Sequence, residues 1–71
     1  MGNRKNKDND HIKEILENSI EIEEDLMRTY LITAERVHDD GELKERLVNF
    51  AEGNAKRTKQ LLDELEEMTD K

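Results

Sequence analysis

Apolar residues recur in steps of three and four along most of the chain. They run through Ile12, Ile15, Leu16, Ile20, Leu26, Met27, Tyr30, Ala34 and Val37, then Leu43, Leu47, Phe50, Ala51, Leu61, Leu62, Leu65 and Met68. That spacing gathers them on one side of an α-helix, and no proline interrupts it. Two helices are expected, over 11–38 and 42–68, joined by a turn at 39–41. Asp40 is the expected N-cap of the second helix, because its carboxylate can accept from backbone N–H groups that have no partner in the first turn. Glu42 follows, where a negative charge meets the positive end of the helix dipole. Gly53 falls inside the second helix, at a cost of about 1 kcal/mol relative to alanine. Residues 1–10 carry no periodicity and are read as a disordered N-terminal tail, with Asp10 as the cap of the first helix. Residues 69–71 are the C-terminal end.

So short a turn makes the two helices antiparallel neighbours. With the turn centred on Asp40, facing residues have numbers that add to about 80. Val37 then faces Leu43, Tyr30 faces Phe50, Leu16 faces Leu65 and Ile12 faces Met68. The acidic run Glu21, Glu23, Glu24, Asp25 lies opposite Lys56, Arg57 and Lys59. Pattern, turn and charge agree on one register. The apolar stripe of the first helix is wide, reaching from Ile22 round to Leu31, and Ile32 points away even from that. One partner helix does not cover such a stripe; a second hairpin does. The expected fold is therefore all-α: a two-helix antiparallel hairpin dimerising into a four-helix bundle. Its oligomer interface is expected to draw on Leu16, Ile20, Leu26, Met27 and Tyr30 from the first helix and Phe50, Leu61 and Leu65 from the second.

Composition sharpens this. At 71 residues, with 32% hydrophobic and 44% charged, the chain has little with which to build a core alone. Below about 70–80 residues one core seldom supplies more than about 3–5 kcal/mol. There is no cysteine, so neither a disulfide nor a thiolate metal site can staple it. Self-association is the remaining source of stability. The net charge of −7 argues against nucleic acid, whose phosphates call for a surplus of Lys and Arg. No apolar run approaches the roughly 20 residues of a membrane span. Residues 1–10 have no apolar signal segment, and Asn6 stands where a myristoylation site needs Ser or Thr. A cytoplasmic protein is expected.

Three polar residues interrupt the apolar face. Glu23 lies at the centre of the first helix's stripe and Asn54 at the centre of the second's. Arg57 lies on the flank of the second, opposite Glu23 in the register above. A buried carboxylate requires a cation, a metal or a proton, and Arg57 is at hand. These three form the expected polar core layer, either as a register-setting contact or as a partly solvated ion pair. Tyr30 is read as core with its hydroxyl satisfied. His11 and His38, at the helix ends, are read as surface residues. Asp39-Asp40-Gly41-Glu42 has too few ligands for a calcium loop. No phosphate-binding glycine loop and no nucleophile–base pair is present, so no catalytic residue is assigned.

In these residues the chain resembles the ferritin-like superfamily, and in particular its rubrerythrin and encapsulated-ferritin hairpins. Glu23 matches the glutamate of the first helix, Tyr30 an aromatic seven residues on, and Asp40-Gly41-Glu42-Leu43 the turn. Phe50-Ala51-Glu52 through Leu61-Leu62 matches the second helix, and the likeness covers roughly residues 12–68. The resemblance implies a half-bundle that completes a di-iron site across a dimer. Where the family carries Glu-x-x-His, however, this chain has Asn54-Ala55-Lys56-Arg57. Asn is a poor bridging ligand and Arg cannot bind iron. The expected function is thus a non-enzymatic assembly or interaction protein that has lost its di-iron ligands. Such a protein has no cofactor, and a protein partner could meet its acidic outer face. The alternative is an iron-handling, ferroxidase-like protein with a site assembled from Glu23 and Glu52 across the oligomer. A third, fainter likeness is to the helical hairpins of small sporulation phosphatases, through Gln60-Leu61-Leu62-Asp63.

Overall fold

The computed structural model describes residues 2–69 and places side chains from Asp10 to Met68. Two helices account for the fold: α1 over Gly2–Arg36 and α2 over Gly41–Thr69. They pack side by side as an antiparallel hairpin, about 59 × 14 × 12 Å. No helix among the described residues is long and apolar enough to cross a membrane.

Both helices depart from the expected limits. α1 begins at Gly2, where a disordered tail was expected over 1–10. Residues 2–9 contain no proline and no β-branched residue. Once a helix is nucleated, each further residue adds a backbone hydrogen bond at little cost, so polarity alone does not stop it. Asp10 consequently lies inside α1 rather than at its cap. At the other end α1 stops at Arg36, two residues short of His38. There the Val37 N–H donates to the Ala34 carbonyl at 3.2 Å, a tightened last turn that closes the helix. Asp40 is the N-cap of α2 as expected. Its Oδ1 accepts from the Leu43 N–H at 3.0 Å, and its carbonyl accepts from the Lys44 N–H at 3.1 Å. α2 closes at Thr69; Met1 and the rest of the expected C-terminal end, residues 70–71, lie outside the described residues.

The register centred on Asp40 holds where it is marked by side chains. Tyr30 meets Phe50, with ring centroids 5.5 Å apart and planes tilted by 55°, a geometry favoured by aromatic quadrupoles. Glu23 meets Asn54 and Arg57. Of the acidic run, Asp25 instead pairs with Arg28 one turn along its own helix.

The seam is thin. The buried apolar residues among those described are Ala34, Leu47 and Ala51. Two alanines in a seam let the helices approach closely, but they bring little apolar area, and each buried CH₂ contributes only about 0.8 kcal/mol. Leu16, Ile20, Met27, Tyr30, Leu61 and Leu65 are half-buried along the same line. Leu26 and Phe50 remain exposed, with Phe50 showing 52% of its surface. So do Ile15, Ile22, Leu31, Ile32 and Leu62.

Candidate functional site

Midway along the hairpin the seam becomes polar. Asn54 is the most buried side chain described, at 2% exposure, and it stands where a core residue of α2 belongs. Its Nδ2 donates to Glu23 Oε1 at 2.6 Å. From one turn further along α2, the Arg57 Nε donates to Glu23 Oε2 at 3.0 Å. Helical spacing explains the convergence, since residues three apart lie on one face. Glu23 therefore has a donor on each carboxylate oxygen, one neutral and one charged. Both bonds favour the ionised form, the Asn54 bond most, and together with the Arg57 charge they outweigh burial and hold the carboxyl below its ordinary value.

The layer is asymmetric toward solvent. The Glu23 side chain is 19% exposed and that of Arg57 is 54% exposed. The pair therefore sits at the mouth of the seam with Asn54 behind it. Two open clefts flank it, of about 370 and 580 Å³, and both are lined by Glu23 and Arg57. The first also takes in Leu26, Tyr30, Phe50, Gly53 and Asn54, the second Ser19, Leu61 and Glu64.

Gly53 has a part in this arrangement that its cost in the sequence does not disclose. The Arg57 guanidinium folds back along α2 and lies over Gly53; a Cβ built there would stand 3.5 Å from Nη1 and 3.6 Å from Nη2. The helix surface at Gly53 is the bed on which the planar group rests, and a methyl group there would meet it at ordinary contact distance. The charge itself remains half in water, as a long amphipathic side chain allows.

One atom in the layer is unsatisfied. Asn54 Oδ1 is buried and has no hydrogen-bond partner among the described residues. The nearby Thr58 hydroxyl does not serve it, because it donates to the Asn54 backbone carbonyl at 2.9 Å. Turning the amide over would aim Oδ1 at the Glu23 carboxylate, so the orientation is fixed by charge. A buried acceptor without a donor costs about 1–3 kcal/mol.

The donor set does not fit a di-iron centre. Both Glu23 oxygens are engaged, and the guanidinium of Arg57 has no lone pair to offer. Glu52 is exposed and lies two residues before Asn54, about 200° of helix rotation away. The hairpin does not bring Glu52 and Glu23 together, and Glu52 lines neither cleft. No group of three or more His, Cys, Asp or Glu side chains that could hold a metal ion occurs among the described residues. The three residues of the expected polar layer, by contrast, are brought into direct contact. Comparison with family models, with curated proteins and with solved structures finds no match to this chain.

Proposed function

We propose that this chain is a non-enzymatic assembly protein, a ferritin-like hairpin that pairs with a second copy into a four-helix bundle. In it the guanidinium of Arg57 stands where a relative would carry a metal. The observation that carries the reading is the imbalance of burial. Among the described residues three apolar side chains are buried, while Ile15, Ile22, Leu26, Phe50 and others stand open along the flanks. A lone hairpin of this composition leaves most of its apolar residues at least partly in water. A second hairpin supplies the missing cover without adding a new kind of contact.

The polar layer supports a structural role over a chemical one. A general acid or base needs a proton to exchange near working pH. Glu23 is held ionised by two donors and is poorly placed to exchange one. What such a layer does well is penalise wrong registers. A shift along the seam would separate Glu23 from Asn54 and leave both without partners.

The test is the solution mass, by light scattering or sedimentation at micromolar concentration. The expected value is twice the 8.4 kDa of the chain. A folded, helical monomer at that concentration would overturn the proposal.

A further inference from the structure

The two flanks of α1 differ in charge. At about 100° per residue, Ile15, Ser19, Ile22, Leu26, Thr29 and Thr33 form one flank of α1. Leu26 and Ser19 line the two clefts, so this flank shares its face with the Glu23–Arg57 pair. In a chain whose residues are 44% charged, this flank has no charge between Ile12 and Val37. Its polar members make few demands. The Thr29 hydroxyl donates to the Asp25 carbonyl at 3.0 Å and the Thr33 hydroxyl to the Thr29 carbonyl at 2.7 Å, each within its own helix. They leave methyl groups and Ile22, 59% exposed, facing out. The opposite flank of α1 places Lys13, Glu17, Glu24 and Glu35 around Leu31.

We infer that the face on which α1 carries no charge is the one covered by a second copy of the chain, which closes the Glu23–Asn54–Arg57 layer into the centre of the interface. This deepens the self-association proposed above and rests on it. Two observations converge on a copy as the occupant. First, two chains of net charge −7 repel each other. They approach most easily where α1 has no charge and where α2 sets Arg46 and Arg57 against Glu42 and Glu64. A basic partner gains little from a face that sets two arginines against two glutamates. Second, the area suffices. A face roughly 44 Å long and about 20 Å wide, from helix rise and diameter, exceeds the roughly 800 Å² per partner of a stable interface.

The chain has no cysteine, so single thiols can report on each face. Ile22→Cys and Leu62→Cys place one on either side of the hairpin. With dimer present, alkylation at position 22 is expected to be slowed by about tenfold or more relative to the denatured chain, with the protection fading on dilution. Position 62 is expected to react at the open rate at every concentration. Ile22→Glu is expected to halve the solution mass, and Leu62→Glu to leave it unchanged. A dimer protected at position 62, or equally at both, overturns the choice of face and leaves self-association standing. A wild-type monomer overturns both.

Discussion

Asn54 Nδ2 meets Glu23 Oε1 across the seam at 2.6 Å, and this contact ties the most buried side chain of α2 to the centre of the α1 stripe. It is also the largest of the causes that hold the Glu23 carboxyl below its ordinary value.

The first consequence is a pH dependence. Asn54 and Arg57 lower the affinity of Glu23 for a proton in the folded state relative to its ordinary value of 4.5. The unfolded chain therefore binds that proton more readily. The stability Glu23 contributes is fully present above 4.5 and is lost as pH falls through the lower, folded value. Urea midpoints followed from neutral pH downward should drop below 4.5 in the wild type. In Glu23→Gln the drop should be shallower, and the difference between the two curves isolates this carboxylate from the other acids.

Asn54→Asp keeps the size of the side chain and replaces the donor with a second carboxylate facing Glu23. Two like charges at that distance cannot both ionise without penalty. Near neutral pH the variant should lose about 1–3 kcal/mol, the usual cost of leaving a buried polar group without its bond. Part of the loss should return on acidification, as the pair comes to share one proton. Denaturation of the variant at two pH values measures both effects.

Gly53→Ala should stabilise the hairpin by about 0.5–1 kcal/mol, because alanine is the better helix former. The added Cβ would meet the Arg57 guanidinium at ordinary contact distance, so no rearrangement opposes the gain. A raised thermal midpoint with unchanged helicity is the expected result.

On the proposed ferritin-like reading, installing the family's ligands should change what the layer binds. Asn54→Glu with Arg57→His puts Glu-x-x-His on α2 at the two positions that meet Glu23. After iron loading, elemental analysis should find stoichiometric metal in the double variant and none in the natural chain. Tightly held iron or manganese in the natural chain would refute the replacement of metal by Arg57.

Much of this layer could be read before the structure. Glu23, Asn54 and Arg57 fell together because helical spacing and a short turn leave one antiparallel register, and Tyr30 with Phe50 fell into place for the same reason. Two features resisted. The start of α1 at Gly2 resisted because pattern reading looks for apolar recurrence, while a polar segment free of helix breakers carries none. The bed at Gly53 resisted because a glycine in a helix registers only as a cost until the side chain lying over it is known.

The single turn at Asp40 also orders events in time. Facing pairs grow further apart in sequence with every step away from it, and closing a longer loop costs more entropy. Tyr30 and Phe50 close a shorter loop than Glu23 and Asn54, and Leu16 and Leu65 a longer one still. The hairpin should therefore zip from the turn outward, so that the polar layer is tried only after the aromatic pair has formed. Truncation at Tyr30 should slow folding, whereas truncation at Leu65 should chiefly speed unfolding; stopped-flow traces of the two variants would separate these effects. On that order, assembly would begin at the closed end of the hairpin and meet its polar layer halfway along.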